Sequence, residues 1–161
     1  MGKMMNEITG TSHYSFLIEV TSKKIKGRLQ QRFNEEKIGL TVDQWVILDH
    51  LKQNDGINQM TLANRISKDA PTVTRIVDLL CNKGMIERRN DPVDRRRFNL
   101  FLCNKGHNIL NRAQSIVLES HRLGWTDLSK SDYQHLLKIL TTINRNFGNH
   151  NFFANNLDKI N

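Results

Sequence analysis

The fold is decided by residues 71–84, which read PTVTRIVDLLCNKG. Pro71 suits the first turn of a helix, where the amide that proline lacks would have no partner inside the helix. Apolar residues then recur at helical spacing and form one stripe, namely Val73, Ile76, Val77 and Leu80. Gly84 stands where a left-handed residue commonly ends a helix. The stretch predicts a helix from Thr72 to Asn82 with one buried side.

The residues just before this helix predict a shorter helix and a tight turn. Asn58 is placed to cap a helix that carries the apolar residues Leu62, Ala63 and Ile66. Ser67-Lys68-Asp69-Ala70 follows as the turn. Two helices joined by four residues are typical of a helix-turn-helix.

A small hairpin is predicted directly after the quoted helix. Met85–Arg89 and Phe98–Leu102 are short alternating segments on either side of Asp91-Pro92. A hairpin in this place completes the pattern of a winged helix-turn-helix. The predicted fold class is therefore mainly α with a small β-hairpin.

Longer helices are predicted on both flanks. Apolar residues recur at helical spacing from about residue 12 to 34 and again after residue 106. Thr41 with Gln44 forms a capping box that starts a further helix. Ser129 and Asp132 repeat the box before the last helix. The tail beyond Gly148 is rich in asparagine, and we expect it to be poorly ordered.

The composition is that of a soluble globular protein, with 38% apolar and 25% charged residues among 161. No apolar run reaches the roughly 18 residues that cross a bilayer, and the first residues lack a secretory core. We therefore expect a cytoplasmic protein with no membrane association. Cys81 and Cys103 do not make a disulfide framework, and neither they nor the scattered histidines have zinc-site spacing, so no metal or other cofactor is expected.

The formal charge is +8 with a pI near 9.8, which favours a polyanionic partner. Residues 60–106 hold ten Lys or Arg against five Asp or Glu, so +5 of the +8 lies there. The excess of positive charge therefore coincides with the predicted helix-turn-helix and hairpin.

The quoted helix has the division of sides that a DNA recognition helix needs. With the apolar stripe inward, Pro71, Arg75 and Asn82 lie roughly opposite it, and Thr72 and Thr74 lie on the flanks. An arginine in the major groove can bond guanine at two atoms, and the amides at a helix start favour a phosphate. The alternative is an ordinary amphipathic helix with a solvent-facing side. Asp78 favours that alternative unless it is paired, for which Arg75 is one candidate.

The hairpin tip carries three consecutive arginines, Arg95, Arg96 and Arg97, between Asp94 and Phe98. Arginine is favoured in a narrow minor groove, where negative potential is concentrated. Asp91 and Asp94 are placed to orient an arginine and to hold the turn. The alternative is a solvated charged tip without a partner.

These residues together resemble the DNA-binding core of the MarR family of bacterial transcriptional regulators. The resemblance rests on Leu62-Ala63, Pro71-Thr-Val-Thr-Arg75, Leu80, Lys83-Gly84, Glu87-Arg88, Asp91-Pro-x-Asp-x-Arg96, Leu102 and Lys105-Gly106. It runs without gaps from about Leu62 to Gly106. Leu40-Thr41-x-x-Gln-Trp45 and Leu128-Ser129 are weaker flanking matches.

The resemblance implies a homodimer with each recognition helix in a major groove and each wing on a minor groove. Arg96 matches the wing arginine of the family and Asp94 its acidic partner. Val93 replaces a residue that is often polar or basic. Cys103 stands where the family usually has a capping threonine, so we expect Asn104 to take over that cap with a shift of one residue.

Dimerisation also follows from the predicted apolar faces of the terminal helices, which a compact central unit cannot cover. The alternative is packing within one chain. We expect one domain over residues 1–161, with the winged helix-turn-helix at about 40–106, dimerisation helices at about 12–34 and 107–148, and a tail at 149–161.

The resemblance further implies release from DNA by a small lipophilic or phenolic effector. A pocket for it is predicted from Phe16, Leu17, Trp45 and Leu48, although a core role is the alternative for Trp45. The oxidation-sensing branch has a cysteine where this chain has His13 and Tyr14. Cys81 is interpreted as a small buried residue, and nothing near Cys103 indicates a stabilised thiolate.

The sequence therefore predicts a double-stranded DNA-binding transcriptional regulator on a pseudo-palindromic operator, associated with the nucleoid when bound. The resemblance favours a repressor, but repression and activation differ by operator position, which the chain does not encode. An architectural nucleic-acid binder with little base readout is the alternative. No catalytic motif supports an enzyme. The predicted DNA contacts are Lys68, Pro71, Thr72, Thr74, Arg75, Asp94, Arg95, Arg96 and Arg97.

Overall fold

A computed structural model describes residues 13–92, 94 and 97–147. The wing positions Val93, Arg95 and Arg96 lie outside the described residues, as does the predicted tail at 149–161. In the described part of the chain, no helix is long and apolar enough to cross a membrane.

The described residues form helices around a small antiparallel sheet. In chain order the elements are α1 (His13–Glu35), α2 (Val42–Gln53), β1 (Ile57–Asn58), α3 (Gln59–Arg65), α4 (Ala70–Asn82), β2 (Ile86–Asn90), β3 (Phe98–Leu102), α5 (Asn104–Gly124) and α6 (Lys130–Asn146).

Local capping explains where several helices begin, and it confirms predictions from the sequence. Thr41 Oγ1 accepts from the amide of Gln44, whose side chain accepts from the amide of Thr41, so the predicted capping box starts α2. Asn58 caps α3 by accepting from the amide of Thr61 at 2.8 Å. Ser129 and Asp132 form the second box at the start of α6. Each cap joins residues three apart, so the pattern is visible in sequence.

The hydrophobic core lies where α2, α3 and α4 meet the sheet. The predicted stripe of α4 is buried at all four positions. Other fully buried side chains come from each neighbouring element and include Phe33, Ile47, Leu48, Leu51, Leu62, Ile86 and Leu100. Fully burying one such aliphatic side chain is worth about 1.5–3 kcal/mol, so this core holds α4 firmly by one side.

The predicted hairpin is confirmed, and the sheet has a third strand that the sequence did not indicate. β2 pairs antiparallel with β3, with Ile86 opposite Leu102 and Arg88 opposite Leu100. β1 pairs with the other edge of β3, so the strand order is β1-β3-β2. Ile57–Asn58 is only two residues long, and a stretch of that length has no period from which a strand can be predicted.

The prediction that Asn104 caps α5 is wrong. Cys103 occupies the cap position with extended backbone, makes no side-chain capping bond, and Asn104 is the first helical residue. The amide of Cys103 donates to the carbonyl of Met85 at 3.0 Å. This bond to the segment leading into β2 fixes the point at which the chain leaves the sheet, so no one-residue shift occurs.

The flanking helices leave wide apolar surfaces uncovered in a single chain. α1 packs on α5 through its C-terminal half, where Leu29 and Phe33 are buried. α6 contains no buried residue among those described. The exposed large apolar side chains on α1 and α6 are Tyr14, Phe16, Leu17, Ile18, Ile25, Leu136 and Ile139.

Gly106, in the first turn of α5, should not tolerate alanine. A Cβ there would lie 2.4 Å from the carbonyl oxygen of Met85 and 2.6 Å from Leu102 Cδ1. Alanine improves helix propensity by about 1 kcal/mol, whereas overpacking costs about 1–3 kcal/mol. Gly106→Ala should therefore lower the free energy of unfolding, measured by urea denaturation at one fixed protein concentration.

Gly27→Ala is the matched control, because Gly27 lies inside α1 and a Cβ there meets nothing within 4 Å. It should raise the free energy of unfolding by about 0.5–1 kcal/mol. Equal effects of the two substitutions would contradict the close packing of α5 on the sheet.

Candidate nucleic-acid interface

The start of α4 is closed by a side-chain cap. Asp69 is its N-cap and accepts from the amide of Thr72 at 2.8 Å, and Pro71 lies in the first turn. The helix therefore begins at Ala70, two residues before the predicted start. The bond from the Thr72 amide is the main cause that lowers the pKa of the Asp69 carboxyl. The sequence does contain a signal for this cap, since Asp69 is a preferred N-cap residue and Pro71 follows in the first turn.

Arg75 lies on the exposed side of α4, opposite the buried stripe. It has no hydrogen bond or ion pair with any residue that the structure describes. Pro71 is also exposed, and Thr72 is partly buried. A guanidinium on a rigidly held helix is thus available to an external anion or base edge.

Lys68, in the turn before α4, lies in an ion-paired cluster. Its Nζ lies 3.1 Å from Asp43 Oδ1, and Lys26 of α1 lies 2.7 Å from the same oxygen. Burial raises the pKa of the Asp43 carboxyl, but the hydrogen bonds from the two lysines outweigh burial and the pKa is lowered. The cluster joins α1, α2 and the turn. The single carboxylate of Asp43 neutralises one of the two lysine charges.

Thr74 is held by internal hydrogen bonds. Its Oγ1 donates to the carbonyl of Ala70 at 2.9 Å and accepts from Gln59 Nε2 at 2.5 Å. A hydroxyl has one proton, so with this proton given to Ala70 it can only accept from a further group.

Asp78 pairs with Arg88 of β2, not with Arg75 as the sequence suggested. Arg88 Nη2 donates to Asp78 Oδ1 at 2.6 Å. The two residues are ten apart and lie on a helix and a strand, whereas Arg75 is three residues from Asp78 on the same helix. Pairing across elements neutralises the carboxylate on the flank of α4 and leaves Arg75 unengaged.

Asp91 holds the wing turn and Asp94 pairs with an arginine, which are the two roles expected of these aspartates. Asp91 Oδ1 accepts from the amide of Asp94 at 3.0 Å, and Asp91 Oδ2 accepts from Asn99 Nδ2 at 3.0 Å. Asp94 Oδ2 lies 3.1 Å from Arg97 Nε, so an acidic residue does orient an arginine at the tip. The roles of Arg95 and Arg96 stay predictions.

A cavity of about 250 Å³ lies between α2 and α5, lined by Trp45, Asp49, Lys52, Leu110, Gln114, Val117, Leu118 and His121. Of the four residues predicted to form an effector pocket, Trp45 lines this cavity. Leu48 is fully buried in the core, and Phe16 and Leu17 are exposed on α1. A single chain does not bring the four together, so that pocket stays a prediction.

Neither cysteine has the environment of a reactive thiol. Burial raises the pKa of the Cys81 thiol, and burial is also the first cause that raises the pKa of Cys103. Both are partly buried, and neither forms a disulfide. The described residues contain no group of three His, Cys, Asp or Glu side chains that could hold a metal ion.

Comparison with known proteins finds a family to which part of the chain is similar. Residues 40–98 match the model of the MarR family. A Thauera aromatica protein named for transcriptional regulation of the hcr operon is 28% identical over 107 residues, which are 66% of this chain and 64% of that protein. The HTH-type transcriptional regulator SarZ of Staphylococcus haemolyticus is 26% identical over 136 residues, which are 82% of this chain and 88% of that protein.

A solved structure supports the same conclusion. The crystal structure of the S. aureus MepR–DNA complex has a TM-score of 0.73 to this chain at 28% identity, over 81% of this chain and 95% of that one. The predicted winged helix-turn-helix fold is thereby confirmed. The two relatives are named as transcriptional regulators and not as enzymes, in line with the prediction for this chain.

The N-cap at Asp69 should make the stability depend on pH in the acid range. Because its pKa in the folded protein lies below the ordinary value of 3.8, the carboxylate stabilises the fold above about pH 4. That stabilisation is lost as the pH falls through the lowered pKa. The parent should therefore exceed Asp69→Ala in free energy of unfolding at pH 7, and the difference should shrink toward pH 2.

Asp69→Asn serves as the control for charge, since asparagine also caps helices. It should retain stability near the parent's at pH 7 without this acid-range dependence, as followed by urea denaturation monitored by circular dichroism at each pH. A constant difference between the parent and Asp69→Ala from pH 7 to pH 2 would contradict the assignment.

Proposed function

We propose that the chain is a transcriptional regulator of the MarR family, to which it is similar, and that it is a homodimer that recognises a two-fold symmetric operator by sequence. The observation that carries the proposal is the division of α4, whose apolar stripe is buried while Arg75 is exposed and has no partner among the described residues. A regulator of this kind acts on the chromosome, in the cytoplasm.

Arg75 is proposed to read a base edge in the major groove. The buried stripe sets the rotation of α4, so the guanidinium projects from a fixed scaffold. Beside it, the positive charge of Lys68 favours phosphates on the flanking backbone. Pro71 and Thr72 belong to the same surface, so the first two turns of α4 form the proposed reading edge.

The wing is proposed to contact the adjacent minor groove. Its turn is held by Asp91, and its arginines follow one another at residues 95–97. Arg97 is oriented by Asp94, and its side chain is still 68% exposed. Fixing the tip before binding lowers the entropy that arginine side chains lose on a phosphate backbone.

A second copy of the chain is the proposed cover of the exposed apolar faces on α1 and α6. α6 has a capping box and seventeen residues yet buries none of them in one chain. A helix of this kind is stabilised mainly by packing of its apolar face, so it needs a neighbour. A two-fold dimer would place the two recognition helices about one helical turn of DNA apart, roughly 10 base pairs.

Regulation is proposed to come from a small lipophilic or phenolic effector at the boundary between α2 and α5. The cavity of about 250 Å³ there joins an aromatic wall, Trp45, to the cationic Lys52. Because α2 belongs to the winged helix-turn-helix core and α5 to the flanking pair, a ligand between them would alter the angle between these parts.

Selection from random duplex DNA tests the central proposal. The purified protein should enrich a sequence with two-fold symmetry whose half-sites lie about 10 base pairs apart. Its affinity for that sequence should exceed its affinity for random duplex DNA at the same salt concentration by at least about a thousandfold. Enrichment of no motif, with a ratio near one, would favour the architectural alternative.

Two arginine substitutions test the assigned roles. Arg75→Ala should cost about 1–3 kcal/mol of operator binding and relax the preference at one base pair in each half-site. Arg96→Ala should weaken binding to all sequences more evenly and reduce the salt dependence. Fluorescence anisotropy on a panel of single-base operator variants measures both effects.

Arg112→Ala is the control, because Arg112 is exposed on α5 and the substitution removes the same charge away from α4. It should leave the base preference unchanged. Unaltered operator binding by folded, dimeric Arg75→Ala and Arg96→Ala would refute the roles.

A further inference from the structure

A chain of polar side chains joins the recognition helix to the wing sheet. It begins at Arg88 on β2, whose Nη2 donates to Asp78 on α4 at 2.6 Å and makes a longer contact of 3.4 Å with Gln59 Oε1. Gln59, the first residue of α3, then donates to Thr74 Oγ1 at 2.5 Å. Thr74 donates in turn to the carbonyl of Ala70.

The four side chains in this series come from three elements of the DNA-binding unit, which are β2, α3 and α4. Arg88 lies opposite Leu100 in the sheet, and Leu100 is fully buried, so Arg88 projects from the side of the sheet that packs on the helices. Thr74 and Asp78 are four residues apart and therefore lie on one flank of α4. The apolar stripe anchors α4 by one side, and this second line of contact resists rotation about that side.

We propose that Arg88 is a positioning residue for operator recognition, and that with Asp78, Gln59 and Thr74 it sets the rotation of α4 relative to the wing. The inference rests on the proposed function, since it assumes that α4 and the wing grip neighbouring grooves together. Thr74 accepts the hydrogen bond from Gln59 in this series because its only hydroxyl proton is donated to the carbonyl of Ala70.

Asp78 has a second consequence for DNA binding. An unpaired carboxylate on the flank of a recognition helix would repel phosphate, and Arg88 neutralises it. The positive charge of Arg88 is consumed in this pair, so it adds little to non-specific attraction. The pair should therefore contribute to specificity more than to affinity for random DNA.

The test compares Arg88→Met with Arg89→Met. Both remove one guanidinium from adjacent positions and keep an unbranched side chain, but Arg89 lies on the outer side of β2, where its guanidinium is 4.2 Å from the centre of the Phe101 ring. The readout is the ratio of affinities for the selected operator and for a random duplex at one salt concentration. Arg88→Met should lower this ratio at least about tenfold, and Arg89→Met should leave it within about twofold.

Asp78→Asn carries the test if Arg88→Met fails to fold, because it keeps the shape of the side chain. It should lower the ratio while raising affinity for random DNA, since one negative charge is lost. The double variant Asp78→Asn with Arg88→Met should lose no more of the ratio than the worse single variant. A rise in this ratio with Asp78→Asn would instead indicate that the released Arg88 contacts the operator directly, and would overturn the proposal.

Amide hydrogen exchange of the DNA-free proteins supplies an independent readout. Residues 70–78 should exchange faster in Arg88→Met than in the parent or in Arg89→Met. Unchanged exchange together with an unchanged affinity ratio overturns the positioning role. A ratio near one in the parent refutes the regulator proposal instead, and the exchange rates then decide whether Arg88 still orders α4.

Discussion

Burial of one side of α4 is the constraint on which the interface depends. Val73, Ile76, Val77 and Leu80 are all buried against the sheet and the neighbouring helices. Aliphatic packing of this kind is close and intolerant of rotation, because turning the helix would expose apolar surface and open cavities. The direction in which Arg75 projects is therefore a result of core packing and owes nothing to Arg75 itself.

The polar residues of α4 then divide by the partners available around it. Thr74 and Asp78 face α3 and β2, and both are engaged by groups from those elements. Arg75 faces away and has no partner among the described residues. The polar surface of the helix thus contains residues that hold the helix in place and residues that are available to an external partner. Only the contacts between elements distinguish the two kinds.

The flanking helices also carry apolar faces, but much of that surface stays exposed in a single chain. Leu29 and Phe33 at the end of α1 are buried within the chain, whereas nearly all of the first half of α1 is exposed and no residue of α6 is fully buried. Exposed apolar patches on a folded protein commonly mark interaction surfaces. The buried core and the exposed apolar faces are governed by the same effect, because removing apolar surface from water is favourable in both places.

The sequence by itself determined the helices, the caps of α2, α3 and α6, the buried stripe of α4 and the hairpin, because those depend on contacts between residues three or four apart or on strict alternation. Only the tertiary structure decided that β1 completes the sheet, that Asp78 pairs with Arg88 instead of Arg75, and that α5 begins after Cys103. These outcomes depend on which elements lie side by side. Residue spacing along the chain does not show which elements lie next to each other in the fold.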